Sequence, residues 1–217
     1  HCLETGRDYC IVALYGHAEI VHLEGIKFLH WSRIGAAGKI IDILKGEEVR
    51  DLVMVGPVKR PSLIAAMPDI RGLKFLLRAG RQAFGGDNSI LSAIAGELEA
   101  EGFRVVGIDS LLEDILTPPG VLTRATPTDD VENLISVGLQ EARKLGAQDI
   151  GQAVVIEGTN ILAREDRRGT NNLIRRAGGL ALFKRNLILI KAKKPRQDRR
   201  VDLPTIGLET VKLAAEN

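Results

Sequence analysis

Six cations and one acid crowd the segment K-A-K-K-P-R-Q-D-R-R: Lys191, Lys193, Lys194, Arg196, Arg199 and Arg200 stand around Asp198. Before them, the apolar run Leu187 to Ile190 reads as a buried strand. After them come Asp202, Pro204 and Thr205, then a helical pattern through Leu208, Val211 and Leu213. A strand, a cationic loop and a helix start together can hold a polyanion. Lys and Arg supply charge, Arg forks onto two phosphate oxygens, and the helix N-terminus adds free N–H groups. An acid set among these bases, Asp202, is useful beside a phosphate if it holds Mg²⁺ or orients an attacking water. The same residues also describe a solvated basic face with Asp202 or Thr205 capping the helix. Spacing alone leaves both readings open.

Other turns carry related chemistry. Gly86-Asp87-Asn88 opens a helix and fits a ribose or phosphate, or else a plain Asp cap. Lys59-Arg60 follows a strand and fits a phosphate clamp or a solvated basic turn. Gly169-Thr170-Asn171 is a further anion or ribose candidate, with Thr170 a natural N-cap. Glu157 sits in a hairpin turn and faces solvent unless it points into a cleft between domains. No G-x-x-x-x-G-K or G-x-S-x-G occurs, which removes a P-loop and a nucleophile elbow. No His-x-x-x-His or Cys-x-x-Cys occurs, which argues against structural zinc.

The elements that must position these residues alternate. Strands are expected over 9–15, 27–32, 51–55 and 103–108, and helices over 38–44, 62–67, 69–79 and 85–101. This alternation predicts an α/β fold, with a Rossmann-like parallel sheet flanked by helices. Ligands of such sheets sit beyond the carboxyl ends of the strands. The segment 117–130 holds three prolines and little core-forming sequence, so it reads as a linker. The division is therefore an N-terminal domain over 1–116 and a smaller C-terminal α/β domain over 131–217, with a ligand cleft between them. The second domain begins with a helix over 130–145. A hairpin of 152–156 and 160–164 follows, then the Gly169-Thr170 helix, then the strand and cationic loop.

Composition limits the partners. Aromatics make up 4% of the 217 residues and the net charge is only +2, which argues against a base-stacking nucleic-acid binder. No apolar run approaches the ~20 residues that cross a bilayer, and no signal peptide is visible. The two cysteines are too few for a disulfide framework, so a reducing cytoplasm fits. The chain opens at H-C-L-E-T-G-R, which reads as the tail of a helix with Gly6 near its C-cap, and it stops within the helical pattern K-L-A-A-E-N.

Several stretches, taken together, carry a resemblance: V-K-R-P-S-L-I-A-A-M-P-D-I-R-G-L-K, G-D-N-S-I-L, D-I-G-Q-A-V-V-I-E-G and, most specifically, R-V-D-L-P-T-I-G. In order and over nearly the whole chain, they resemble the Mg²⁺-dependent UDP-2,3-diacylglucosamine pyrophosphatases of bacterial lipid A biosynthesis, the type unrelated to the calcineurin-like enzymes. The resemblance implies two domains around a substrate cleft and cleavage of UDP-2,3-diacylglucosamine to UMP and 2,3-diacylglucosamine 1-phosphate. It implies Asp202 as the catalytic acid associated with Mg²⁺. Substrate contacts are expected from Lys59, Arg60, Gly86, Asp87, Asn88, Glu157, Thr170, Asn171, Arg200 and Thr205. A protein meeting this substrate is expected in the cytoplasm, peripheral to the inner membrane, with room for a homodimer. A first strand with a Gly-rich loop, and further elements after residue 217, are expected from the family pattern. The chain departs from that pattern in carrying Asn88 where a second acid is frequent and Asn171 at a G-T-D position. The competing class is a non-catalytic nucleotide-sugar or lipid-binding module.

Overall fold

The computed structural model describes residues 1–23, 25–56, 67–79, 87–182, 187–195 and 197–217. It is of mixed α/β class and divides into two compact units, with the chain passing from the first to the second at Thr117 and Pro118.

In the first unit, a short helix α1 (Cys2–Thr5) ends on Gly6 in the left-handed conformation. Strand β1 (Ile11–Leu14) pairs in parallel with β2 (Leu29–Ser32), and β3 (Asp51–Leu52) pairs in parallel with β4 (Arg104–Val105). The expected strands are thus present but shorter, and they form two separate parallel pairs among the described residues. Helix α2 (Ala37–Gly46) buries Ile41 and Leu44 against Phe103, with Val12, Leu52 and Leu98 packed around them. Leu98 belongs to α4 (Asp87–Ala100). The helix expected over 62–67 falls, except for Met67, outside the described residues.

Asp69 organises the joint between α2 and α3 (Ile70–Ala79). The N-cap of α2 is Ala36, which has no side chain to offer the free N–H groups of the first turn. Asp69 Oδ2 takes the Gly38 N–H at 2.7 Å, and Oδ1 takes the Gly72 N–H at 2.7 Å in its own helix. One carboxylate therefore serves two helix starts. A side chain at Gly72 would collide with the Gly35 carbonyl, so the close approach needs glycine there. The P-D-I-R-G stretch is accounted for by this joint. The outer side of α3 exposes Ile70, Leu73 and Leu77 beside Arg71, Lys74 and Arg78.

In the second unit, α5 (Asp129–Ala147) precedes β5 (Ala153–Glu157) and β6 (Asn160–Arg164), then α6 (Gly169–Leu180), β7 (Leu187–Lys191) and α7 (Leu208–Glu216). The sheet order is β6-β5-β7, antiparallel throughout. Side chains alternate across a strand, so the run A-V-V-I of central β5 serves two cores. Val154 and Ile156 pack with Ala142 and Leu145 of α5 and with Ile190. Ala153 and Val155 pack with Leu173 and Ala177 of α6. Helices cover both faces, which is why β5 is continuously apolar rather than alternating. Gly138 lets α5 settle onto Ile190, where any side chain would collide with that residue's Cδ1.

Candidate functional site

The start of β5 and the ends of β6 and β7 lie at one edge of this sheet, and the polar residues of the second unit gather there. Glu165 follows β6 and is buried. Its Oε2 accepts the Gln152 N–H at 2.7 Å and its Oε1 accepts the Thr170 hydroxyl at 2.6 Å. Gly151 is required beside it, because a Cβ there would stand 2.8 Å from the Glu165 carbonyl oxygen. Lys191, at the end of β7, donates to Thr170 Oγ1 at 3.1 Å and to the Thr205 carbonyl at 2.8 Å. A buried carboxylate, a hydroxyl and an ammonium thus tie the start of α6 to the loop after β7.

That loop is folded on itself. Lys194 pairs with Asp149 at 2.5 Å, and Arg200 forks onto Asp198 with a closest contact of 2.8 Å. The Arg200 guanidinium holds the Asp198 carboxyl below its ordinary range. The Asp202 N–H donates to the Asp198 carbonyl at 3.0 Å. Asp202 Oδ2 accepts the Gln197 side-chain amide at 2.5 Å, while no hydrogen bond among the described residues reaches Oδ1. Just before α6, Arg168 forks onto Asp166 and drives its carboxyl far below the usual range.

Several expectations are corrected by these contacts. Thr170 is not the N-cap of α6: Arg168 occupies that position, and the Thr170 hydroxyl is turned to Glu165 instead. Neither Asp202 nor Thr205 caps α7. Its N-cap is Gly207, and the Thr205 hydroxyl donates to the Leu203 carbonyl. The bases are not a uniformly solvated face, since Lys194 and Arg200 are ion-paired and Lys191 is tied down. Glu157 accepts the Leu182 N–H at 3.4 Å rather than standing clear in its turn.

The structure brings Thr170, Thr205, Arg200 and Asp202 to one end of the sheet. Asn171 is one residue along α6, where its side-chain oxygen accepts the Thr210 hydroxyl at 3.2 Å. Glu157 lies at the opposite end, about 14 Å away along β5 at the usual rise per residue. Lys59, Arg60 and Gly86 lie outside the described residues. Asp87 and Asn88 open α4, and their side chains lie outside the description too. The residues that sequence reasoning passed over are Glu165, Gln197 and Asp149. Glu165 and Gln197 each stand five residues before the side chain they bind, Thr170 and Asp202, and that spacing was the local signal available.

The donor set bears on Mg²⁺. Among the described residues, no three His, Cys, Asp or Glu side chains stand together as a ready-made cage. Asp198 is committed to Arg200, and the loop is left with Asp202 Oδ1 as its open carboxylate oxygen. One carboxylate oxygen fits an ion that keeps its waters and takes its other ligands from substrate phosphates, as Mg²⁺ does.

Residues 1–115 match the LpxI N-terminal domain and residues 118–217 match the LpxI C-terminal domain. The UDP-2,3-diacylglucosamine pyrophosphatase LpxI of Caulobacter vibrioides is 37% identical over 224 residues, covering 99% of this chain and 78% of that protein. With both domain models matched in order and a relative of this identity spanning nearly its full length, the chain belongs to the LpxI family.

Proposed function

We infer that this chain hydrolyses the pyrophosphate bond of UDP-2,3-diacylglucosamine, releasing UMP and 2,3-diacylglucosamine 1-phosphate in lipid A biosynthesis. The observation that carries the reading is 37% identity over 99% of the chain to a UDP-2,3-diacylglucosamine pyrophosphatase. The Asp202 loop supports it independently, because it sets an acceptor-only oxygen among cations beside a helix start.

The reaction balances without a covalent intermediate. Water adds through its oxygen to one phosphorus, the bridging P–O bond breaks with its electron pair kept by the departing phosphate oxygen, and the proton the water gives up passes to that oxygen or to solvent. Asp202 Oδ1 would hold Mg²⁺, which when bound neutralises charge on the pyrophosphate. Lys193 and Arg199 are exposed on the same loop and bring positive charge toward the developing anion. Arg200, Thr205 and Asn171 form the expected contribution of this unit to substrate binding, with Thr170 contributing by framing the site through Glu165 and Lys191. Lys59, Arg60, Glu157 and the turn 86–88 complete the expected set, and the family resemblance supports a Rossmann-like first unit and a cleft flanked by both.

Among the described residues, no helix is long and apolar enough to cross a membrane, yet the substrate carries two acyl chains. The apolar stripe of α3, flanked by Lys74 and by Arg71 and Arg78, which pair with Asp42 and Glu97, supports peripheral contact with an anionic bilayer at the cytoplasmic side. The deciding experiment is incubation with UDP-2,3-diacylglucosamine and Mg²⁺ and detection of UMP. Binding without UMP release would make the chain a binding module.

A further inference from the structure

Gln197 is a buried side chain in the most polar loop of the chain, 4% exposed, and both ends of its amide are in use. Its Oε1 accepts the Lys194 N–H at 3.1 Å, and its Nε2 donates to Asp202 Oδ2 at 2.5 Å. A backbone N–H can only donate, so the amide oxygen must face Lys194 and the NH₂ must face Asp202. The backbone of Lys194 is fixed in turn, because its side chain is ion-paired to Asp149 and its Cα packs on Gly146 of α5. A carboxylate on an exposed loop ordinarily samples several rotamers. Here one oxygen is anchored through Gln197 to the body of the unit, and the other is left open.

We propose that Gln197 is a positioning residue for the hydrolysis, holding Asp202 in the one rotamer that presents Oδ1 to the pyrophosphate. This rests on the reading of Asp202 given above. Among the described residues, the ion-paired groups around the two side chains are Asp198 with Arg200 in the same turn, and Lys194 with Asp149 from the segment after α5, with Lys193 and Arg199 exposed on the same loop. None of them replaces the Gln197 bond to Asp202 Oδ2.

Two substitutions separate positioning from scaffolding. Gln197→Glu keeps an acceptor for the Lys194 N–H and replaces the donor to Asp202 by a second carboxyl, whose like charge pushes Asp202 Oδ2 away. Gln197→Met removes both at similar volume. With UDP-2,3-diacylglucosamine and Mg²⁺ at one neutral pH, both variants are expected to lose on the order of tenfold or more in kcat with KM within about twofold, as for one charge-assisted hydrogen bond. Circular dichroism and Tm establish the folded fraction. A purely structural Gln197 predicts parental kcat in Gln197→Glu and a deficit only in Gln197→Met, and that result overturns the proposal. If Gln197→Glu does not fold, parental kcat in Gln197→Met overturns it as well. An inactive Asp202→Ala beside a fully active Gln197→Glu refutes the role of Gln197 alone. A fully active Asp202→Ala refutes the reading of Asp202 and the role of Gln197 together.

Discussion

The Thr170 hydroxyl donates to Glu165 Oε1 at 2.6 Å, and its oxygen accepts from Lys191 Nζ at 3.1 Å. A hydroxyl committed in both directions is part of the frame of the site. Thr170→Val should therefore lower stability by about 2 kcal/mol, the range for a lost hydrogen bond to a charged group, while Thr170→Ser should be close to neutral. Denaturant unfolding measures both. Parental stability combined with lost turnover in Thr170→Val would instead make the hydroxyl a substrate contact.

Asp202→Ala should abolish most turnover and leave substrate binding largely intact. The loop cations attract the pyrophosphate in the ground state, whereas the carboxylate is needed when charge develops. A kcat loss on the order of 10²-fold or more, with little change in affinity, is the expected pattern in a UMP-release assay. Near-parental kcat would remove Asp202 from the chemistry.

The Arg200–Asp198 pair sets an acid dependence. Asp198 is held below its ordinary value of 3.8, chiefly by its hydrogen bonds from the Arg200 side chain. A depressed carboxyl contributes stability that is fully present above its unfolded value and is lost as pH falls through the lower folded value. The parent should thus lose Tm as pH drops below about 4, and Asp198→Asn should show a flatter acid limb from a lower plateau. Parallel curves for the two proteins would show that the pair contributes nothing.

Leu73→Asp and Leu77→Asp should weaken retention on anionic vesicles without changing hydrolysis of a detergent-dispersed substrate. Both leucines are more than half exposed, at 51% and 73%, on the basic helix α3. A Lys or Arg near such a surface adds roughly 1 kcal/mol of attraction, less for Arg71 and Arg78, which are paired with Asp42 and Glu97, and retention should also fall as salt rises. Salt-insensitive retention that the two substitutions leave unchanged would place membrane contact elsewhere.

Much of the second unit was legible because its signals are local. The E-G-T turn between two apolar runs gives β5 and β6, and Gly169-Thr170 marks the start of α6, with the cap two residues earlier than expected, at Arg168. What stayed hidden depends on side-chain pairings that form only in the folded chain, one of them across 45 positions. Asp198 looked like the lone acid among six bases because Asp149, the partner of Lys194, is 45 positions away. Thr170 looked like a cap because Glu165 competes for its hydroxyl only once β6 and α6 are folded together. Gln197 carries no charge, so counting charges along the loop passed over it. In the first unit the pattern correctly gave helices and parallel strands. It overestimated strand length, since the apolar run Asp51 to Val55 keeps only Asp51 and Leu52 in register with Arg104 and Val105.

The two partners of β5 differ in the length of chain that joins them to it, and loop-closure entropy then predicts an order of folding in the second unit. β6 is linked to β5 through the two-residue turn at Gly158 and Thr159, so that hairpin can close on the microsecond scale of local contacts. β7 reaches the other edge of β5 only after the whole of α6 has been traversed, a longer loop that costs more entropy to close. The loop bearing Asp202 follows β7 and is fastened by Lys191 to Thr170, so it takes its final form after the hairpin and the helix. Weakening Lys191 or Gln197 should accordingly speed unfolding more than it slows refolding. During refolding, UMP release is expected to return after the far-UV circular dichroism signal, and simultaneous recovery of the two would refute this order.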